Sequence, residues 1–464
     1  MPLDYRQFTL FSFILKAYEI IDNAGFDAAY PKNNNWDFIP DKDEYYPRDF
    51  VELVTLLEKR GYKKDFDSIT FLSRLLMEID KTIYNFKEYT ELFSNNDDSE
   101  LRNDKYTLII KPESSISTKL NINHGSNKLD DPTKGTKWLR KKRQFNPNKI
   151  CYKLGLINLN FVNNNKDFTI KQHFCFSDSL KNDLEANLVR VGFFPFIRMD
   201  SNGNPLIKID KGFATFNINY KDSNGYRDLY LKYLAEAFKT KANIILFPEN
   251  SIPFNSYIQI GNILESINID AKKIIVAGTN WNNNTNTCYV FNDTGNLLVR
   301  QNKYNPYLLE EKSDDNNLVR FYENLKEERP HIVNLLHIQS FGLIGFPTCS
   351  DLVSAKYIES IYCDCEVTDL YIPCMSVSKD IFSSLTYLAS HYWISIFACN
   401  TYVDKNKIIG FFCAPFKNGH IGKNKNSRSY ISRFIKKKRI KNGICVGRNF
   451  VINLKKIKGK DIYL

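Results

Sequence analysis

The sequence predicts an α/β fold preceded by a mainly helical accessory region, and three observations predict it. Two mostly apolar stretches of strand length, Leu188–Pro195 and Ala242–Phe247, flank an amphipathic helical pattern from Gly225 to Thr240, the layout of a β-α-β unit. Further strand-length runs follow at Lys273–Ala277, Cys288–Asn292, Leu297–Arg300 and around Leu343, Ile344 and Phe346. Residues 1 to about 95, by contrast, repeat apolar side chains at helical spacing. The chain of 464 residues is long enough for two domains, and the change of pattern divides it into 1–184 and 185–464.

In the first region, Phe8, Phe11, Ile14, Leu15, Tyr18 and Ile21 form one stripe, which ends at Asn23-Ala-Gly25. Pro47 opens a second helix with Phe50, Val51, Leu53, Val54 and Leu57 inward, and a third is expected from Asp67 to Phe93. These stripes read as core and carry no chemistry. Residues 96 to 185 are polar and irregular. They hold a basic cluster, Lys137-Trp-Leu-Arg-Lys-Lys-Arg143, which reads as a solvated charge run before it reads as a nucleic-acid contact. Two strand patterns, Tyr152–Phe161 and Phe168–Phe176, are expected to pair with each other.

Composition narrows the class. Hydrophobic residues make up 43 %, enough for a large core, and no run approaches the roughly 18 to 20 apolar residues of a membrane span. The start, Met1-Pro-Leu-Asp-Tyr-Arg, lacks the layout of a secretion signal, and ten cysteines are scattered without a disulfide framework. Cytoplasmic location with free thiols is the expectation. Cys363 and Cys365 form a lone C-x-C pair, weak as a zinc signal, so no metal is expected. The net charge of +12 has two readings: an anionic partner such as nucleic acid, or a Lys-, Asn- and Ile-rich composition that needs none.

Chemistry gathers at three strand ends. Strand 242–247 runs into Pro248-Glu249-Asn250, the hairpin around Asp293-Thr-Gly295 leads to Lys303-Tyr304, and Phe341-Gly-Leu-Ile-Gly-Phe turns at Pro347-Thr348 into Cys349-Ser-Asp351. A helical segment, Ala355–Ile361, comes next. A strand that turns sharply into a nucleophile lifts its side chain out of the sheet. The bland reading of Cys349 is a small core residue. Glu249 at a neighbouring strand end supplies a base, and Lys303 supplies a charge that stabilises both a thiolate and an oxyanion.

These motifs, in this order, resemble the carbon–nitrogen hydrolase (nitrilase) superfamily. Ile244-Ile-Leu-Phe-Pro-Glu249 is similar to its strand ending in the general base. Asp293-Thr-Gly-Asn-Leu-Leu-Val-Arg-Gln-Asn-Lys303 is similar to its hairpin leading to the catalytic lysine. Phe341 to Asp351 resembles the strand and elbow of its nucleophile, with Asp369-Leu-Tyr-Ile-Pro373 and Ala398-Cys-Asn400 resembling later strands. The resemblance covers about residues 185 to 420. Ser350 departs from it, since many members carry an aromatic there.

The resemblance implies a four-layer α-β-β-α sandwich and a cysteine-dependent hydrolase of a nitrile or amide. Glu249 would be the base, Cys349 the nucleophile and Lys303 an oxyanion partner. Glu311 would be a second glutamate that orients the lysine, with Glu310 as the competing assignment. No metal or organic cofactor is implied. Homo-oligomers are expected through the helices Ala355–Ile361 and Ser383–Trp393. Two alternatives stand beside the hydrolase. One is a catalytically inactive scaffold. The other is a component of an anti-phage defence system, since similar domains are found joined to bacterial reverse transcriptases. Its partner would be nucleic acid or a separate polymerase chain.

Overall fold

The computed structural model describes residues 10–24, 76, 101–110, 159–175, 190–195, 207–220, 223–253, 257–267, 273–313, 315–338, 341–353, 358–375, 385, 394–401, 408–417, 428–436 and 450–453. These fall into two compact units, one through Lys166 and one from Asp167. In the first unit, α1 (Leu10–Ala24) packs on an antiparallel pair, β1 (Tyr106–Ile110) and β2 (Leu159–Asn163). The predicted stripe is the buried one: Phe11, Ile14, Leu15, Tyr18 and Ile21 are all in the core. Tyr18 stacks on Phe161 at 3.9 Å between ring centroids and meets Tyr106 edge-on at 4.8 Å. The second and third predicted helices and the basic cluster at 137–143 lie outside the described residues.

The second unit begins with β3 (Phe168–Cys175), β4 (Arg190–Phe193), β5 (Ile207–Lys211), β6 (Thr215–Tyr220) and α2 (Ser223–Phe238). Then come β7 (Ile244–Leu246), α3 (Tyr257–Ile267), β8 (Ile274–Asn282), β9 (Thr285–Asn292), β10 (Leu297–Asn302), β11 (Leu308–Lys312) and β12 (Leu318–Glu323). The chain continues through β13 (His331–Ile338), β14 (Gly342–Gly345), β15 (Asp369–Cys374), β16 (Ser395–Asn400), β17 (Ile408–Lys417), β18 (Arg428–Lys436) and β19 (Phe450–Asn453). A six-stranded sheet has the order β10-β9-β8-β7-β4-β19, and a seven-stranded sheet has β18-β17-β16-β15-β14-β13-β3. A four-stranded sheet, β11-β12-β6-β5, stands apart from both.

The period of two in the strands builds the layers. Ile244, Leu246, Ile274, Val276, Cys288 and Val290 of the six-stranded sheet pack against Leu336, Ile344, Phe346, Tyr371 and Phe397 of the seven-stranded one. Their neighbours Ile245, Phe247, Ile275, Ala277, Tyr289 and Phe291 point the other way, onto α2 and α3. Each fully buried side chain of this size contributes about 1.5 to 3 kcal/mol. The buried stripe of α2 is Tyr226, Tyr230, Leu234 and Phe238, while Leu229, Leu231 and Tyr233 are only partly covered. Gly295, at φ 80 in the β9–β10 turn, lies against Gly261 of α3, whose carbonyl a side chain there would strike.

These elements give helix, sheet and sheet. On the outer face of the seven-stranded sheet, Tyr362 of a π-helical turn, Ile358–Cys363, packs over Gly345. This turn is the described part of the predicted helix at 355–361, and of the one at 383–393 only Leu385 is described. The placement of β3 corrects the sequence reading. It pairs in parallel with β13 over eight positions, Phe168↔His331 through Cys175↔Ile338, while the described part of the 152–161 stretch, from Leu159, lies in β2 and pairs with β1. That long ladder, with a His337–Gln172 bond of 3.0 Å, ties β3 to the second unit. No helix among the described residues is long and apolar enough to cross a membrane.

Candidate active site

Glu249 stands one turn beyond β7, on a backbone fixed from three sides. Its N–H donates to Cys374 O at 3.3 Å, and its carbonyl accepts from Thr401 Oγ1 at 3.0 Å. Asn250, at φ 56, donates its N–H to Thr279 Oγ1 at 2.8 Å. Ser251 Oγ donates to Pro248 O at 2.9 Å and to Ala277 O at 3.2 Å. This close approach to β8 is open because Gly278, at φ 88, has no side chain to meet Ser251.

Lys303 follows β10 and donates its N–H to Asn286 O at 2.8 Å. Its Nζ lies 2.7 Å from Glu249 Oε1 and 2.6 Å from Glu323 Oε2. Asn286 Nδ2 donates to both carboxylates, at 2.8 Å to Glu249 and 3.2 Å to Glu323. The three charged side chains are 1 to 4 % exposed. Breaking such a buried pair from one side costs about 3 to 5 kcal/mol, because the other charge is left unpaired.

The second glutamate beside Lys303 is therefore Glu323, and neither Glu311 nor Glu310. Both of those lie on β11, where Glu311 pairs with Lys211 and Glu310 with Arg320, each more than 40 % exposed. Antiparallel pairing of β11 with β12 carries the chain back, so the strand end that meets Lys303 is Glu323. The signal was present in Leu318-Val-Arg-Phe-Tyr-Glu323, another strand that closes on an acid.

Cys349 follows β14 at the Pro347-Thr348 turn. Its φ of 40 is a left-handed value for a residue with a side chain, the mark of a sharp and strained turn. It opens a five-residue 3-10 turn, Cys349–Val353. Asp351 folds back under it: one carboxylate oxygen accepts from Thr348 N at 2.9 Å, the other from Tyr304 N at 3.0 Å and Asn305 N at 2.7 Å. Burial pushes the Asp351 carboxyl up to about 7 despite these donors.

The electrostatics form one system. A hydrogen bond with Cys374, then burial and the charge of Glu249, push the Cys349 thiol well above its ordinary range, and Lys303 pulls the other way. Burial, aided by Glu323, raises the Glu249 carboxyl, while Lys303 and a hydrogen bond with Cys349 lower it. For Lys303, burial opposes the charge, but Glu249 and Glu323 outweigh it, and the ammonium is held well above its ordinary range. Tyr307 donates its N–H to Glu323 Oε2 at 2.9 Å. Its phenol is raised by burial and then by the charges of Cys349 and Glu249. Sequence reading missed Glu323, Asn286, Tyr307 and Cys374.

Beside Lys303 lies a cavity of about 410 Å³ whose walls include Asn302, Tyr304, Asn305, Glu328 and His331. Cys349 is 1 % exposed and is not among its lining. Cys363 and Cys365 are buried, and among the described residues no set of His, Cys, Asp and Glu groups of metal-binding size occurs.

No protein-family model matches the chain, and no curated protein matches it. Among solved structures, it is similar to an amidase from Nesterenkonia sp. at 11 % identity and a TM-score of 0.35, covering 53 % of this chain and 90 % of that one. It is also similar to Nit3 of Saccharomyces cerevisiae, a member of branch 10 of the nitrilase superfamily, at 11 % identity and a TM-score of 0.34, over 54 % of this chain and 92 % of that one. A glutamine-dependent NAD+ synthetase from Acinetobacter baumannii aligns at 14 % identity and a TM-score of 0.32, over 48 % of this chain and 41 % of that one.

Proposed function

We propose that the chain is a carbon–nitrogen hydrolase of the nitrilase kind, which cleaves an amide or nitrile through a thioester on Cys349. The observation that carries this reading is the Lys303 ammonium held between Glu249 and Glu323, with the Cys349 thiol bonded to Glu249. With both carboxylates ionised and Lys303 protonated, the cluster carries one net negative charge, which disfavours a resting thiolate. Proton transfer to Glu249 then accompanies attack and does not precede it.

For an amide, Cys349 Sγ attacks the carbonyl carbon as its proton passes to Glu249. Lys303 and the Ser350 N–H stabilise the oxyanion. The carbon–nitrogen bond breaks, and the nitrogen leaves as ammonia or an amine with the proton from Glu249. Water, deprotonated by Glu249, attacks the thioester, the carboxylic acid departs, and the thiol is restored. Glu323 keeps Lys303 charged and aimed. The steps require no metal or organic cofactor.

The test is release of ammonia from a panel of small amides and nitriles, with mass spectrometry of the intact protein during turnover. We expect an acyl adduct on the Cys349 peptide in the wild type and no turnover in Cys349→Ala. Turnover that survives Cys349→Ala overturns the reading. The net charge of +12 favours a second property, association with nucleic acid or with a polymerase chain, and the A260/A280 ratio of the purified protein tests it. A homo-oligomer is likewise our proposal, and light scattering measures it against the 54.1 kDa chain.

A further inference from the structure

The elbow that carries Cys349 and the segment that carries Lys303 come from different sheets, yet they are stitched together at one point. Asn305 Nδ2 donates to Ser350 O at 2.8 Å, and Ser350 Oγ donates back to Asn305 O at 2.5 Å. Asp351 adds the three N–H bonds described above, two from the lysine segment and one from the elbow. Both Ser350 and Asp351 are buried. None of these groups bonds Lys303 Nζ, whose hydrogen-bond partners are Glu249 and Glu323.

We propose that Asn305, Ser350 and Asp351 form a positioning clasp that sets the Cys349 thiol and the Ser350 N–H relative to the Lys303 ammonium. Three features carry the inference. The Asn305–Ser350 contact is reciprocal, so it fixes both distance and rotation between the segments. It grips the peptide of Ser350, the residue whose N–H the mechanism uses. The backbone at Cys349 is held at φ 40, a value that persists only where neighbouring contacts enforce it. A side chain at 350 that reached away from this contact could not close the clasp, so the serine has a role of its own here. The three side chains touch no substrate and act through Cys349, the Ser350 N–H and Lys303.

This inference rests on the hydrolase reading, and its test separates the two. Iodoacetamide, itself a small amide-bearing electrophile, is applied to the full chain at a series of pH values, and labelling of Cys349 is followed by peptide mass spectrometry. Half-buried Cys175 serves as an internal reference. Asn305→Ala, Ser350→Ala, their double variant and Ser350→Thr are compared with wild type, each checked for an unchanged melting temperature.

The expected result is labelling of Cys349 slowed about tenfold in each alanine variant, with its pH midpoint moved upward as the thiol and Lys303 separate. The double variant should be little worse than either single one, because one clasp is broken once. Ser350→Thr, which keeps the hydroxyl, should restore most of the rate. Cys175 should be unaffected throughout. If Cys349 labels normally in wild type and equally fast in the alanine variants, the clasp is refuted while the nucleophile stands. If Cys349 does not label even in wild type, the nucleophile reading fails and the clasp with it.

Discussion

Glu249 and Glu311 are both carboxylates near strand ends, and each has a lysine partner, but the two pairs differ in surroundings and so in consequence. The Glu249–Lys303 pair is 4 and 1 % exposed, is shared with Glu323 and is braced by Asn286. The Glu311–Lys211 pair is 41 and 36 % exposed and lies on the outside of the four-stranded sheet. Water screens the second pair, which stabilises by about 0 to 1 kcal/mol. The first lies where the field of each charge reaches its neighbours and displaces their proton affinities. Position along the chain does not separate them, and burial does.

The largest effect should come from removing the shared cation. Lys303→Met leaves two buried carboxylates facing each other, and we expect a loss of about 3 to 5 kcal/mol in denaturant unfolding together with loss of turnover. Glu323→Gln keeps the shape and removes one charge. We expect kcat on a small amide to fall about a hundredfold or more, with KM little changed, because a group that aims the lysine acts on the transition state. A smaller change should appear in the pH profile. Burial holds the Glu249 carboxyl above its ordinary 4.5, so the base is lost as pH falls through that raised value. The acid limb of kcat/KM should therefore lie above pH 4.5.

Asp369 sharpens the same contrast in stability. Burial lifts its carboxyl from 3.8 to about 7, so the folded protein holds this proton more tightly than the unfolded chain does. Its contribution is most favourable at low pH and is lost as pH rises through that window. Asp369→Asn should flatten the decline in melting temperature between about pH 4 and pH 7. The smallest effect belongs to the exposed pair: Glu311→Gln should change stability by less than about 0.5 kcal/mol and leave kcat untouched.

Much of the sandwich was legible because its strands obey one rule. Ile244, Ile245, Leu246 and Phe247 form a continuous apolar run because both faces of β7 are covered, one by the opposing sheet and one by helices. The same run located Glu249 at its end. The four-stranded sheet was not legible. Its strands mix apolar residues with the charged Lys208, Asp210, Glu310, Lys312 and Arg320, and one face meets solvent, so no continuous apolar run marked them. Glu323, carried by that sheet, was lost with it, and Glu311 took its place on spacing alone. The alliance of β3 with β13 was hidden for another reason. Residues 168 and 331 are distant in sequence, and a parallel pairing leaves no turn to announce it.

One measurement tests the central claim most directly: the rate at which iodoacetamide labels Cys349, mapped by peptide mass spectrometry, in Glu323→Gln and Glu311→Gln side by side. The account predicts a rate raised about tenfold or more in Glu323→Gln, where the cluster loses one buried negative charge and the Cys349 thiolate is less disfavoured, and a rate equal to wild type in Glu311→Gln. Equal rates in the two variants, or a faster rate in Glu311→Gln, would contradict it.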